Sequence, residues 1–321
     1  MTALTAAILM DPIAGIKMTK DTTFAMLLAA QARGHRCHVF TLPDLFLRGG
    51  RAWGRLQAVT VQDRAGDHYR LEPVGERPLA EMDVVLMRKD PPVDLEYLTA
   101  CYLLEHAGTW VVNDPVSLRN ANEKLYALHF PQFLPPLLVS RDLADLRAFL
   151  AEHGEIVVKP LSARGGEGVF YLHGQDRNVG SILETVTGRG AHYVMAQRYL
   201  PAIREGDKRI LMVAGEPGAG AGLRVPAAED FRGNLVAGAQ GVPAPLTERD
   251  REICAAIGPR LREDGLLFVG LDVIGEWVTE INVTSPTGAR EIRQFFGIDA
   301  AELLWQSLER GVQARRGSAG H

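Results

Sequence analysis

Near the C-terminal end of the chain, Asp272, Glu280 and Asn282 put oxygen-bearing side chains into an otherwise apolar stretch, LDVIGEWVTEINVTSP. Residues two apart in a strand share a face, so Glu280 and Asn282 point the same way. A carboxylate, an amide and a nearby second carboxylate suit Mg2+, which takes oxygen ligands and keeps positions open for phosphates. Whether Asp272 joins them rests on the hairpin turn. A two-residue turn, Gly275-Glu276, pairs Asp272 with Thr279 and sends Glu280 to the other face. A three-residue loop, Gly275 to Trp277, sets Asp272 opposite Glu280, and this odd-numbered loop is the expectation. A strand whose polar face is simply solvated is the plain alternative, with equal weight, because burying unpaired charge is costly.

A second candidate is VVKP followed by SARGGEG, residues 157–168. Lys159 at the end of an apolar strand supplies a point charge, and glycine N–H groups can approach phosphate oxygens closely. The pattern GxxxxGK[ST] is absent, which disfavours a P-loop NTPase. Read alone, the segment is more simply a hairpin with a surface lysine, since glycine-rich turns are common there. Arginines stand at element ends: Arg88, Arg209, Arg224 and Arg232. Arginine pairs bidentately with carboxylates and phosphates, although each alone is more often solvated. Arg88 stands out because it follows a buried strand, at the end where open α/β sheets bind ligands. Lys124, after NANE, reads on its own as an exposed helix lysine.

These residues need elements to hold them. Ala6–Met10, the helix-like FAMLLAAQARG and CHVFTL give strand, helix, strand, hence a parallel sheet. A hairpin is hinted at by LQAVTVQD and HYRLEPV. MDVVLMRKDPP is a further strand, DLEYLTACYLLEHAG a helix and TWVVND a strand. A new unit begins near Leu118. There LRNANEKLYALHF reads as helical, FLPPLLVS as an extended connector and DLADLRAFLAEHG as a helix capped by Asp142 and stopped by Gly154. EIVVKPL and VFYLHG flank the glycine-rich loop, and HYVMAQRYLP adds a strand. Beyond residue 201 the strands DKRILMVAGEP and AGLRVP precede a helix, ERDREICAAIGPRLRED. The 268–283 hairpin and a helix, AAELLWQSLERGVQ, follow. The tail RRGSAGH is expected to be unordered.

Composition bounds the function. With 321 residues, about two or three domains are expected. Apolar residues at 46% and charged residues at 23% describe a globular chain. Thirty-five Lys+Arg against 39 Asp+Glu leave a net charge of −4, which gives no electrostatic case for nucleic acid or a membrane surface. Cys37, Cys101 and Cys254 are far apart, so neither a disulfide framework nor a zinc site is expected, and a reducing cytoplasm is. MTALTAAILMDP lacks a basic leader region, and no apolar run is long enough to span a bilayer. HExxH, GxSxG and a GxGxxG after the first strand are absent, which disfavours zinc hydrolases, α/β-hydrolases and dinucleotide-dependent oxidoreductases.

Several long blocks in one order give a sharper reading. MDPIAGIKMTKDTTFAMLLAAQ (10–31), VVLMRKDPP (84–92), VNDPVSLRNANEKL (112–125), MAQRYLPAIREGDKR (195–209), RGNLVAG (232–238) and FVGLDVIGEWVTEINVTSPTG (268–288) carry it. With them the chain resembles the ATP-grasp superfamily, and within it the prokaryotic glutathione synthetase family. The resemblance implies an α/β chain with the ATP-grasp fold. An N-terminal open α/β domain would span 1–122, a central α+β lid 123–200 and a C-terminal α+β catalytic domain 201–321. It implies ATP between the last two. Lys124 and Lys159 match phosphate-contacting lysines, and Ser162, Arg164, Gly165, Gly166 and Gly168 a small loop over the triphosphate. Gln197, Tyr199 and Leu200 match the strand lining adenine, with Asp207 near the ribose. Glu280 and Asn282, with Asp272 beside them, match ligands of Mg2+, with Mn2+ as the alternative ion. Arg88, Arg209, Arg224 and Asn282 would face the reacting carboxylate and phosphates, and residues 225–240 match a longer closing loop.

The implied chemistry joins γ-glutamylcysteine and glycine in the cytoplasm, and the family analogy implies a homo-oligomer, dimer or tetramer. The carboxylate must be activated, so it would attack the γ-phosphate to give an acyl phosphate, which the glycine amine then opens. Two departures touch loop closure. Ser162-Ala163-Arg164-Gly165-Gly166 stands where the family has Asp-Gly-x-Gly-Gly, and VPAAEDFRGN lacks the family's Gly-Gly pair. The metal ligands and phosphate lysines are in place. A carboxylate–amine ligase with a different donor or acceptor is the main alternative; a non-catalytic, synapsin-like nucleotide binder is another.

Overall fold

Ala6, Ala7, Ile8 and Leu9 are all fully buried, which a strand achieves only when both faces of its sheet are covered. The computed structural model describes residues 3–162, 165–227 and 239–318. In it these residues form β1 (Thr5–Leu9), flanked in parallel by β2 (Arg36–Phe40) and β6 (Val84–Met87). The crossover from β1 to β2 is α1 (Thr22–Ala32). Between β2 and β6 in sequence lie β3 (Leu45–Arg48), β4 (Arg51–Val61) and β5 (Tyr69–Pro78). All three are antiparallel additions on the β2 side. After α2 (Leu95–Leu104), β7 (Trp110–Val112) extends the parallel part beside β6. The seven-stranded sheet therefore aims the C-terminal ends of β1, β6 and β7 the same way.

Two smaller sheets follow. In the first, β8 (Leu137–Ser140), β9 (Glu155–Pro160), β10 (Phe170–His173) and β11 (Val194–Arg198) run antiparallel in the order β10-β9-β11-β8. The helices α4 (Leu143–His153) and α5 (Val179–Val186) cover it over a core of Leu146, Ile156, Val158, Leu172 and Leu183. The second holds β12 (Asp207–Val213), β13 (Glu216–Val225), β14 (Gln240–Pro245), β15 (Phe268–Ile274) and β16 (Trp277–Asn282) in the order β14-β13-β12-β15-β16. Three more helices, α6 (Glu248–Glu263), α7 (Ala289–Phe296) and α8 (Ala300–Ser318), complete the chain. Helix starts follow capping rules. Asp21, Asp94 and Asp142 accept the N–H of Phe24, Tyr97 and Ala144 at 2.6, 2.9 and 2.7 Å, each worth about 1 kcal/mol.

Three sequence expectations differ from this picture. The segment 118–130 is not one helix. Instead α3 (Pro115–Asn120) stops, and Asn122 Oδ1 accepts from the N–H of Lys124 and of Leu125, both at 3.1 Å. Asparagine offers the backbone that local bonding in place of the next helical turn. The connector 133–140 contains β8, because Leu137–Ser140 finds β11 as an antiparallel partner. The tail is helical through Ser318, since Arg315 lies 3.8 Å over the Trp110 ring and Arg316 pairs with Asp83.

α8 belongs spatially with the N-terminal sheet. Trp305 is fully buried and donates its indole N–H to Met26 O at 2.8 Å. Glu309 takes Arg33 on both oxygens, at 2.9 and 2.7 Å.

Candidate functional site

The hairpin of β15 and β16 turns in two residues, Gly275 and Glu276, with Gly275 at φ +59°, not in the expected three. Asp272 still lies opposite Glu280, because the register shifts between the Val273–Val278 and Asp272–Glu280 pairs. Thr279 is the extra residue, a bulge whose hydroxyl donates to Asp272 O at 3.3 Å. The bulge restores the juxtaposition that the turn alone would have lost. Gly270 pairs with Asn282, and Asn282 Nδ2 donates to Gly270 O at 3.2 Å, which leaves Asn282 Oδ1 as the acceptor on the Glu280 side.

β12 brings Arg209 opposite Asp272 on its other edge. Arg209 holds the carboxylate bidentately, Nε to Oδ1 at 2.6 Å and Nη2 to Oδ2 at 3.0 Å. Arg224 on β13 faces Asp207 across the next pair, bonds its carboxylate, and also reaches Asp272 Oδ2 at 3.0 Å. A row of charges thus crosses four neighbouring strands. A Cβ on Gly270 would lie 3.0 Å from both Arg209 Cδ and Pro286 Cβ, so glycine is what lets the guanidinium cross there.

Burial opposes ionisation of Asp272, but Arg209 and Arg224 outweigh it and hold its carboxyl well below the usual range. Burial pushes Asp207 up to about 7 against the pull of Arg224. Asp207 Oδ1 and Arg224 Nε are buried without a hydrogen-bond partner among the described residues. Such atoms are costly unless something else satisfies them.

Two lysines enter from other elements. Lys124, buried in the turn after α3, puts Nζ 3.0 Å from Glu280 Oε1. Lys159, on β9 opposite Met195, has its pKa lowered by burial, and the charges it feels most strongly are those of Glu280, Lys124, Asp207 and Asp272. It therefore lies within electrostatic reach of that row from the central sheet. Gly165, Gly166 and Gly168 follow it, all with φ between +60° and +81°. Ser162 is exposed before them; Arg164 lies outside the described residues, as do Arg232 and residues 228–238 of the longer loop.

Gln197 is buried on β11. Tyr199 N–H donates to Glu155 O at 3.0 Å, its ring lies 4.8 Å from that of Tyr171, and Leu200 is buried. A cavity of about 490 Å3 opens beside Tyr199, Leu200, Ile274, Glu276 and Trp277, while Lys124, Lys159, Arg209 and Glu280 are not among its walls. Arg88 is buried at the end of β6. It donates to Thr23 Oγ1 at 3.1 Å and to Pro286 O at 3.3 Å and lies 5.5 Å over the Phe268 ring, so Pro286 and Phe268 link it to the Gly270–Arg209 crossing.

Two residues were not singled out from sequence. Asn113, at the end of β7, donates to Phe268 O and Val283 O at 2.9 and 2.7 Å and accepts from Phe268 N at 2.9 Å, joining the first sheet to the third. Its signal is an amide in the apolar run WVVND at a ligand-side strand end. Glu123 bonds the chain just beyond Asn282; its signal is adjacency to Lys124.

The donor set fits a hard cation. Glu280 and Asn282 offer oxygens side by side, with Asp272 beside them, and hard divalent ions take oxygen. Among the described residues no three His, Cys, Asp or Glu side chains cluster for a metal, so the group is two carboxylates and an amide.

An open mixed sheet with a parallel centre, a four-stranded antiparallel sheet and a sheet carrying this charged row define the chain as an ATP-grasp protein. A D-cycloserine synthetase crystal structure shares the fold with a TM-score of 0.69 at 16% identity, over 96% of this chain and 99% of that one. The D-alanyl-alanine synthetase A of Vibrio cholerae does so at 0.60 and 15%, over 97% and 99%. The model of the prokaryotic glutathione synthetase N-terminal domain matches residues 4–119, and that of the prokaryotic glutathione synthetase ATP-grasp domain matches residues 123–297. The glutathione synthetase of Pseudomonas aeruginosa is 51% identical over 311 residues, 96% of this chain and 98% of the relative. That of Escherichia coli O127:H6 is 48% identical over 309 residues, 95% and 98%. The chain belongs to the prokaryotic glutathione synthetase family.

Proposed function

We propose that this enzyme ligates γ-L-glutamyl-L-cysteine to glycine at the expense of ATP, giving glutathione, ADP and phosphate. The observation that carries the reading is the row Glu280–Asp272–Arg209 with Arg224 and Asp207, met by Lys124. Lys124 and Lys159 would hold the phosphates, with the N–H groups of residues 165–168, Ser162 and Arg164 over them. Gln197, Tyr199 and Leu200 would line adenine, and Asp207 would sit by the ribose. Glu280 and Asn282, with Asp272 behind, would hold Mg2+; Mn2+ is a second ion this oxygen set accepts. When bound, the ion neutralises charge on the phosphoryl group. Arg209 and Arg224 orient the donor carboxylate, and Arg88 supports that side through Pro286. The cysteinyl carboxylate attacks the γ-phosphorus and ADP leaves; the glycine amine attacks the resulting acyl phosphate and phosphate leaves. Closed loops keep water from the activated acyl group. Most of the rate gain is positioning and electrostatics, since no protein nucleophile is needed.

The three sheets support a division into 1–122, 123–200 and 201–321, with α8 reaching back to the first unit. We place the enzyme in the cytoplasm, consistent with three free cysteines. Among the described residues no helix is long and apolar enough to cross a membrane. We assign a homo-oligomer, dimer or tetramer, on family analogy, to be read by light scattering. The deciding assay mixes purified protein with ATP, Mg2+, γ-glutamylcysteine and glycine. Phosphate release requiring all four is expected; none above background would end the reading.

A further inference from the structure

The charged row must keep two distant chain segments in step: the turn bearing Lys124, and the end of β16 bearing Glu280 and Asn282. Glu123 lies at the junction. Its backbone carbonyl accepts the N–H of Ile281 at 3.0 Å. Its side-chain Oε1 accepts the N–H of Val283 at 2.9 Å, the N–H of Thr284 at 3.1 Å and the hydroxyl of Thr284 at 2.8 Å. Four bonds from one residue thus bracket Asn282 on both sides. The next residue, Lys124, closes the bracket on Glu280.

Burial and the neighbouring Glu280 both disfavour the ionised form of Glu123, while the donors of Thr284 and the charge of Lys124 favour it. A half-buried acceptor that collects three donors fixes their geometry closely, because leaving any of them unmade is costly.

We infer that Glu123 is a positioning residue for the metal face: it clips residues 281–284 to the Lys124 turn, so that Glu280, Asn282 and Lys124 are presented to the Mg2+–nucleotide complex as one rigid unit. It touches neither nucleotide nor metal and acts through its neighbours. The inference rests on the functional reading above.

Calorimetry of AMP-PNP binding, with Mg2+ and with EDTA, tests it in the wild type, Glu123→Gln, Glu123→Ala and Thr284→Val. Glutamine keeps an oxygen for the three donors and alanine keeps none. In Glu123→Ala the tightening of AMP-PNP by Mg2+ is expected to fall by about 10–100-fold, the usual cost of losing an outer-shell partner. Glu123→Gln should stay near wild type and Thr284→Val should fall between. An alanine variant with the wild-type Mg2+ effect overturns the inference, as does a glutamine variant as impaired as alanine. Should Glu123→Ala not fold, Thr284→Val decides, and an unchanged Mg2+ effect there overturns it. A wild type that binds no Mg2+·AMP-PNP overturns the functional reading instead.

Discussion

Lys124 Nζ lies 3.0 Å from Glu280 Oε1, across 156 residues of chain. The pair joins the turn after the first sheet to the last strand of the third. In the site proposed above, the carboxylate assigned to the metal and the cation assigned to the phosphates thus neutralise each other.

Replacing Glu280 by glutamine should therefore remove a metal oxygen charge and release Lys124 together. Mg2+-dependent ADP release is expected to drop at least about 100-fold, no less than the loss of an outer-shell partner. The far-ultraviolet circular dichroism should be unchanged. Undiminished turnover would remove the metal assignment.

Asp272 anchors two buried guanidinium groups. Asp272→Ala takes that carboxylate from Arg209 and leaves Arg224 with Asp207, and breaking a buried pair by removing one partner costs about 3–5 kcal/mol. A large fall in the urea midpoint is expected, beyond any loss of activity. A midpoint equal to wild type would mean that Arg209 finds another partner.

Gly168 sits at φ +64°, and a Cβ there would lie 3.0 Å from Pro160 Cγ. A left-handed conformation costs an L-residue about 1–2 kcal/mol, so Gly168→Ala should raise KM for ATP on the order of tenfold. KM for glycine should change little. Steady-state kinetics with each substrate varied in turn separate the two.

Acid should loosen the α8 attachment. Leu4 N–H donates to His35 Nδ1 at 3.2 Å, so the ring proton sits on Nε2, 2.9 Å from Glu309 Oε1. Burial lowers the pKa of His35, outweighing Glu309 and Asp83, which raise it, while Arg33 lowers it further. Below about pH 6.5 the unfolded chain takes up that proton and the fold resists, so stability falls as pH drops. Arg33 holds Glu309 below its ordinary value, so its contribution is full above about pH 4.3 and is lost as pH falls through the lower folded value. Both slopes run the same way. Tm should decline from pH 7 to 5, and His35→Gln should flatten that decline; an equally steep decline in the variant would assign it elsewhere.

Residue types and local periodicity carried much of this into the sequence. The β1-α1-β2 unit follows from one buried run, one helix and its glycine stop, and the oxygen face of β16 follows from the two-residue spacing of Glu280 and Asn282. The hairpin shows where such reasoning stops. A turn length fixes which residues face each other only if no bulge intervenes, and nothing local announces that Thr279 is the extra residue. Asn122 ended a helix that apolar spacing alone would continue, because its side chain competes for the backbone. The partners of Glu123 and Asn113 are hidden for another reason. These, Val283 and Phe268, lie more than 150 residues away, where periodicity carries no information.

The bond from Trp305 to Met26 O spans 279 residues. During synthesis at about 5–20 residues per second, α1 leaves the ribosome many seconds before α8 exists. Throughout that interval the α8-facing side of the first sheet's helix is bare, with no covering surface of its own. The nascent chain must either tolerate this exposed face or be shielded by a chaperone, and truncations just before α8 should be the most aggregation-prone intermediates of its biosynthesis.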